Sequence, residues 1–300
     1  MVSTDGVDRP PHHHRSPEDP SLAPGVQPAA IAGHLLGEGP GAVAFLLAGA
    51  RLLYARHTAT TWQPSSAVVR LLQGIWGREP PETACRTVRA RIYTTAADSS
   101  LDRATVRVAG KRLTAGVVPQ PVPDLPLPAE PLDVGPWAPD LQPCPGGPAR
   151  AAPPRVPVDE DRAWLGLARE LAQTVPRGVS RFAADRAVAA LLVGPAGELL
   201  GQATNRGGTN RTLHAEVNLV QEYYLRTGSR LPVGCRVYTT LKPCKMCAAL
   251  LAAAATDPGS LTVVYAQHDP GPAARATLLD PPPGPGAHLP GPRLRHLPEP

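Results

Sequence analysis

The sequence predicts two α/β domains joined by a proline-rich linker, and three observations support this. Residues 119–157 hold 14 prolines in 39 positions, so they form a stiff, extended stretch that cannot pack as a domain. Helical and extended patterns alternate on both sides of it, over 28–115 and 159–280. Two short segments in the first part also match two in the second. Alternating elements of this kind predict helices packed on a central sheet.

The second part predicts its elements in order. DEDRAWLGLARELAQTV begins with acidic residues, and Trp164, Ala168 and Val175 recur at helical spacing, which indicates a helix facing the core. RAVAALLVG and ELLGQATN, separated by the turn PAG, predict a hairpin. We then expect a helix over TLHAEVNLVQEYYLRTG ended by Gly228, a strand over CRVYTTL, a helix over PCKMCAALLAAAA, a strand over LTVVYAQHD and a last helix over PAARATLL.

The remaining residues form tails and the linker. We expect residues 1–27 and 281–300 to be disordered because they are rich in proline, and we assign 116–158 to the linker. No secretory signal is visible, and the longest apolar run, Ala248–Ala255, is too short to span a bilayer. Five cysteines, two of them as Cys-x-x-Cys, favour a reducing compartment. We therefore expect a soluble, cytoplasmic protein of bacterial type.

The charge is uneven along the chain. The net charge is +5, with 27 Arg against 3 Lys. Residues 28–115 carry 11 basic and 5 acidic side chains, whereas 159–280 carry 13 and 11. The first domain therefore holds the excess, which permits a polyanionic partner.

Two motifs in the second domain predict a catalytic metal site. His214 and Glu216 lie at the start of one predicted helix, and Cys244 and Cys247 follow Pro243 at the start of another. Pro243 suits the first helical turn, where residues three apart share a face. Two thiolates and one imidazole are three ligands for Zn²⁺, so a fourth position stays open for water. Glu216 is a poor ligand for such a site but a good proton carrier.

Alternatives exist for each motif taken alone. Redox pairs and structural zinc knuckles also contain Cys-x-x-Cys, and His-x-Glu is a weak signal by itself. The combination, with a strand between, is the signature of zinc-dependent nucleobase deaminases. Residues 159–279 therefore resemble the cytidine deaminase-like superfamily. In VYTTLKPCKMCAALL and LTVVYAQHD they are most similar to tRNA-specific adenosine deaminases and to bacterial nucleic-acid-editing and toxin relatives.

The resemblance implies a three-layer deaminase sandwich with a central mixed sheet. It implies one Zn²⁺ per chain held by His214, Cys244 and Cys247, with Glu216 as the proton shuttle. An Asn at the end of the second strand contacts the nucleoside in this family, which places Asn205 in the substrate site. Asn205 also suits a plain turn before Gly207 and Gly208. Lys242 departs from the acidic residue common in the tRNA branch, and the only candidate for the family's fifth strand is RLRHL.

The first domain is predicted to be a degenerate copy of the second. AVAFLLAG at 42–49 matches AVAALLVG at 187–194 in 6 of 8 positions, and RIYTT at 91–95 matches RVYTT at 236–240 in 4 of 5. Both matches have a shift of 145 residues, with a predicted helix over SSAVVRLLQGIWG between them. At that shift the four site residues become Val69, Leu71, Ser99 and Asp102, so we expect a metal-free, deaminase-like domain. Chance similarity between strands rich in Ala, Leu and Val is the competing interpretation.

These observations leave three functions open. The first is a zinc hydrolase that deaminates cytosine or adenine in RNA or single-stranded DNA. The second is a deaminase of a free base, nucleoside or nucleotide, and the third is a binding module that zinc only stabilises. Basic side chains of the first domain could follow phosphates, and Trp76 and Tyr93 could stack on bases. Those basic residues are Arg86, Arg89, Arg91, Arg103, Arg107, Lys111 and Arg112.

Overall fold

The computed structural model describes residues 27–37, 39–59, 61–120, 128–132, 157–176, 186–280 and 291–298. Almost all of the predicted N-terminal tail, residues 1–26, lies outside this part of the chain. No helix in the described ranges combines the length and apolar character needed to cross a bilayer. The predicted cytoplasmic location stays a prediction.

The first domain is a five-stranded sheet with helices on both faces. Its strand order is β4-β3-β1-β2-β5, and only β3–β4 and β2–β5 pair in parallel. One face packs against the first helix and the other against the second and fourth. The elements are α1 (Pro28–Leu36), β1 (Ala42–Ala48), β2 (Arg51–His57), α2 (Ala67–Arg78), α3 (Pro81–Thr87), β3 (Arg91–Thr94), α4 (Ser100–Ala109), β4 (Arg112–Thr114) and β5 (Ala129–Pro131).

The second domain repeats this plan. Its strand order is β10-β9-β8-β6-β7, with parallel pairing of β10–β9 and β8–β9 and antiparallel pairing elsewhere. One helix covers one face and two cover the other, which is the predicted three-layer sandwich. The elements are α5 (Pro157–Ala172), β6 (Ala189–Val193), β7 (Leu199–Thr204), α6 (Ala215–Thr227), β8 (Arg236–Leu241), α7 (Lys245–Ala254), β9 (Thr262–Gln267) and β10 (Arg293–His296).

The two sheets share four strands in the same order and direction. The series β2-β1-β3-β4 corresponds to β7-β6-β8-β9, and each sheet adds one strand of its own at opposite edges. A helix follows the hairpin in both domains, as expected if the first domain is a copy of the second. The prediction of a second deaminase-like α/β domain is therefore confirmed.

The constant shift of 145 residues was wrong in two places. Phe45 pairs with Tyr93 in the first sheet, whereas Leu191 pairs with Tyr238 in the second. Phe45 therefore corresponds to Leu191, a shift of 146, and a strand slipped by one residue turns every side chain to the other face. The first residues of α2 and α6, Ala67 and Ala215, are 148 positions apart, because the turn between β6 and β7 is longer than the turn between β1 and β2. Helix α3 has no counterpart before β8. Its extra residues bring the shift between the two domains back to 145 at β3 and β8.

Three segments differ from the predicted elements. PAARATLL forms only one 3₁₀ turn, Pro272–Ala274, and Ala276 follows with a φ of 49° that a helix does not allow. Residues 293–296, which the sequence assigned to the disordered tail, form β10 because their backbone pairs with β9. RLRHL is thus the fifth strand. Residues 129–131, which the sequence assigned to the linker, add β5 to the edge of the first sheet.

The domains pack helix against helix. Helix α4 lies on α7, and Leu101 and Val108 of α4 reach the core of the second domain. Gln73 of α2 and Gln221 of α6 form a buried amide pair, in which Gln73 Nε2 donates to Gln221 Oε1 at 3.2 Å. The face of the first domain that carries its degenerate site therefore meets the face that carries the predicted metal site.

Candidate active site and metal centre

Two helix N-termini bring the predicted metal ligands together. His214 is the N-cap of α6 and Cys244 is the N-cap of α7, both with extended backbone, and Cys247 lies in the first turn of α7. Pro243 precedes the cap, so Cys244 lies at the cap and not inside the first turn as expected. The positive end of each helix dipole faces the site, which favours thiolates.

The three ligand atoms form a compact triangle. Nδ1 of His214 lies 3.4 Å from Sγ of Cys244 and 3.5 Å from Sγ of Cys247, and the two sulfurs are 3.5 Å apart. Tetrahedral bonds of normal length to Zn²⁺ place such atoms about 3.6 to 3.8 Å apart. Within the described residues, this is the one group of three or more His, Cys, Asp or Glu that could hold a metal ion.

The electrostatics of the triangle also fit a cation. The hydrogen bond with Cys247 and the nearby imidazole lower the pKa of Cys244 far below its usual value, despite burial. Burial and that thiolate then raise the pKa of Cys247 far above its usual value. For His214, burial opposes the charged form, but the Cys244 thiolate outweighs it and raises the pKa. A cation bound by the three atoms would favour the thiolate form of both cysteines. The ligand set fits Zn²⁺.

Glu216 lies beside the triangle in the first turn of α6 and is only 3% exposed. Burial, reinforced by the Cys244 thiolate, raises the pKa of its carboxyl group. The hydroxyl of Thr239 on β8 donates to Oε1 of Glu216 at 3.3 Å and has the carbonyl of Leu241 as a second acceptor at 3.2 Å. A buried carboxyl group with a raised pKa, next to three converging N/S atoms, is suited to carry protons. Thr239 was not predicted from the sequence, because one hydroxyl in a strand has no distinctive spacing.

An open cleft of about 710 Å³ leads to these residues. His214, Glu216 and Cys244 line its floor together with Asn205, which follows β7 and is 9% exposed. The side-chain amide of Asn205 donates to the carbonyl of Arg186 at 3.4 Å. The structure thus brings all predicted site residues together, with Cys247 directly behind the floor. Five basic side chains line the cleft against the two acidic ones of Glu216 and Asp269: Arg107, Arg186, Arg211, Lys242 and Lys245.

The first domain replaces the metal triangle with a hydrogen-bonded cluster. Ser66 and Ser99 are the N-caps of α2 and α4, and they occupy the places of His214 and Cys244. Asp102, which takes the place of Cys247, is 2% exposed. Its carboxylate accepts from the Ser66 hydroxyl, and its backbone N–H donates to Ser99 Oγ at 3.0 Å. Ser66, not Val69, is therefore the counterpart of His214, and the cluster offers one carboxylate in place of three N/S ligands.

Two aromatic side chains proposed for base stacking are buried. Trp76 is 4% exposed and donates its indole N–H to the carbonyl of Ala109. Tyr93 is 6% exposed and stacks on Phe45 with ring centroids 5.4 Å apart. Both belong to the core of the first domain, so the stacking prediction was wrong.

Comparison with known proteins agrees with the two-domain architecture. Residues 179–282 match the family model described as Bd3614-like deaminase, and residues 43–117 match the model for the N-terminal domain of that family. A tRNA(Ile)-lysidine synthase of Deinococcus deserti is 37% identical over 87 residues, which are 28% of this chain and 14% of that protein. The chain thus spans a small part of this curated relative.

Solved structures of deaminases are also similar to part of this chain. One, from a study of A-to-I editing by tRNA:A34 deaminases, is 24% identical with a TM-score of 0.35, over 46% of this chain and 98% of the other. A dCMP deaminase from cyanophage S-TIM5 is 18% identical with a TM-score of 0.32, over 48% and 100%. A guanine deaminase of Bacillus subtilis is 26% identical with a TM-score of 0.28, over 36% and 64%. Scores this low carry no argument about substrate. On the two family matches, residues 43–117 and 179–282 belong to the N-terminal and deaminase domains of the Bd3614-like deaminase family.

Proposed function

We propose that the chain is a zinc-dependent hydrolytic deaminase that acts on cytosine or adenine bases in RNA or single-stranded DNA. The observation that carries this proposal is the buried Glu216 beside three converging N/S ligands, at the floor of a cleft rich in basic side chains. A structural zinc site has no need of a proton carrier, which argues against a merely stabilising metal.

His214, Cys244 and Cys247 would hold the metal through Nδ1 and two sulfurs. When bound, Zn²⁺ would supply a Lewis acid that lowers the pKa of water to about 7. Glu216 accepts the two protons of the attacking water in turn and passes one to the ring nitrogen beside the reacting carbon and one to the exocyclic amine, which leaves as ammonia while a carbonyl forms on the ring. The overall change consumes one water and releases one ammonia for each base.

The other cleft residues bind and orient the substrate. Asn205 lies on the floor next to Glu216, where its amide can pair with the target nucleotide. Thr239 fixes the carboxyl group of Glu216 from the side of the sheet. The basic lining favours a substrate that carries phosphate, which a free base or nucleoside lacks. A free nucleotide is a second candidate, because the cleft volume lies within the range of about 300 to 1,000 Å³ typical of small-molecule sites.

The test compares wild type with Glu216→Gln and with Glu222→Ala. Glu222 lies on the same helix but outside the cleft, so it is the matched control. Metal content is read by mass spectrometry, and C-to-U and A-to-I conversion is read in single-stranded DNA, RNA, free nucleotides and nucleosides. We expect one zinc per chain in all three proteins, conversion in a polymer, and a rate reduced by about 10² to 10⁴-fold in Glu216→Gln alone. An active Glu216→Gln enzyme would contradict the mechanism, and conversion of monomers alone would contradict the polymer substrate.

A further inference from the structure

The first domain forms one wall of the catalytic cleft. Arg107 and Val108, near the end of α4, line the cleft together with Cys244 and Lys245 at the start of α7. Val108 packs on the core of the second domain, which fixes this end of α4 against the site. The side chain of Arg107 is exposed at the cleft, so a residue of the metal-free domain faces the substrate of the other.

The charges that line the cleft are not equivalent. Arg186 pairs with Asp269 at 2.9 Å, and Lys242 pairs with Asp280 at 2.5 Å. In the described part of the chain, Arg107 makes no such ion pair. A guanidinium that is exposed at the cleft and has no acidic partner is available to an anionic ligand, and its planar fork suits a phosphate group.

Arg107 also connects the cleft to a second depression. This depression has a volume of about 340 Å³ and lies wholly on the first domain. Three basic side chains line it, Arg103, Arg107 and Lys111, and its acidic residue, Asp98, pairs with Arg103. The basic surface therefore continues from the cleft, across Arg107, to a place that a single base in the cleft would not reach.

The corresponding helix of the second domain lacks these charges. Helices α4 and α7 align without a gap, because their N-caps Ser99 and Cys244 correspond. At this alignment Arg103 and Arg107 take the places of Ala248 and Ala252. The arginines are thus a property of the helix that faces the metal site and not of the shared fold.

We propose that Arg107 binds a phosphate of a single-stranded nucleic acid whose target base lies in the cleft, and that Lys111 guides the adjoining strand. This inference rests on the proposed function, because it takes the cleft as the site of the base. Of the seven basic residues that the sequence offered for phosphate binding, the structure favours these two, since Arg103 is paired with Asp98. The metal-free domain is then part of the substrate site.

The test measures binding of a fluorescent 15-nucleotide single-stranded DNA, and of the RNA of the same sequence, by anisotropy at several salt concentrations. Wild type, Arg107→Ala and Arg107→Lys are compared with Arg56→Ala, which removes an exposed arginine of β2 outside both depressions. We expect Arg107→Ala to weaken binding roughly two- to fivefold. The slope of log K against log salt should fall by about 0.7, which corresponds to one phosphate contact with a single strand. Arg107→Lys should keep the slope.

Separate measurements of nucleic-acid binding and of base conversion distinguish a failure of this inference from a failure of the proposed function. If Arg107→Ala keeps the wild-type salt slope, the inference is overturned, whatever the conversion assay shows. If the slope falls in a protein that converts no base, Arg107 is retained as a phosphate contact and the proposed function fails. AMP and CMP serve as competitors. If Arg107→Ala weakens the binding of both AMP and CMP but leaves oligonucleotide binding unchanged, the contact belongs to free nucleotides and the proposed path for a polymer is overturned.

Discussion

Replacing Gln221 with leucine removes half of the buried amide pair that joins the two domains. Gln73 and Gln221 are 1% and 0% exposed, and each lies seven residues after the N-cap of its helix, Ser66 or His214. Gln73 Nε2 donates to Gln221 Oε1 at 3.2 Å, and Gln221 Nε2 donates to the carbonyl of Pro64 at 3.3 Å. Gln221 Nε2 also lies 3.5 Å from Gln73 Oε1, so its main hydrogen bond is the shorter one to the Pro64 carbonyl.

The cost follows from the groups that lose their partners. At about 1.5 kcal/mol for each buried polar group left unsatisfied, Gln221→Leu costs about 3 kcal/mol, because it orphans Gln73 Nε2 and the Pro64 carbonyl. Gln73→Leu orphans only Gln221 Oε1 and costs about 1.5 kcal/mol. The double variant leaves only the Pro64 carbonyl and also costs about 1.5 kcal/mol, so we expect a coupling energy of about 3 kcal/mol.

Urea unfolding monitored by tryptophan fluorescence measures all four proteins of this cycle. The double variant should be as stable as Gln73→Leu and more stable than Gln221→Leu. Equal m-values across the set would show that the domains still unfold together, as the comparison requires. Additive losses would refute the reasoning, because they would mean that the two amides do not depend on each other.

Four further predictions concern the site and its counterpart. Cys247→Ala should lose the zinc and lower the melting temperature, and unchanged metal content would remove this residue from the ligand set. Asn205→Ala should raise KM about tenfold, for one lost hydrogen bond to the substrate, while kcat changes less. Burial raises the pKa of Asp102 despite the hydrogen bonds from Ser66 and Ser99, so its ionisation costs stability as pH rises from the unfolded pKa to the folded one. Asp102→Asn should therefore gain stability over wild type across that window and hold the gain above it, whereas a stability difference that does not change from about pH 4 to about pH 8 would contradict this. Gly228→Ala should cost about 1 kcal/mol in thermal unfolding, because φ is 66° at this C-cap, and a variant as stable as wild type would contradict that cause.

The local signals in the sequence were sufficient to predict which residues converge at the candidate site. His214, Glu216 and Cys244 lie at or next to helix starts, and a helix start is set by residues close in sequence. The order of helices and strands around the site followed from hydrophobic periods in the same way. Gly228 ended α6 as predicted, since a left-handed C-cap is also a local feature.

The failures lie where distant parts of the chain decide the structure. The match between residues 42–49 and 187–194 was out of register by one, because sequence identity does not show which face of a strand is buried. Strands β5 and β10 were assigned to proline-rich segments, and only pairing with β2 and β9 makes them strands. Trp76 and Tyr93 were predicted to be accessible for base stacking, because the sequence does not show which elements cover them. Both pack in the core of the first domain. Composition showed that the first domain is basic, but only the packing of α4 on α7 places Arg107 at the cleft.

Covalent linkage of the two domains has a consequence for what each helix can carry. In a symmetric homodimer every residue occurs twice, so a side chain that reaches into the partner's site must also be compatible with its own. Here α4 and α7 face each other within one chain, and their sequences diverge freely: α4 carries arginines and α7 carries cysteines and alanines. One helix can therefore carry residues suited to a charged ligand while the other carries residues suited to a metal. Two identical subunits would have to carry both sets of residues on the same helix.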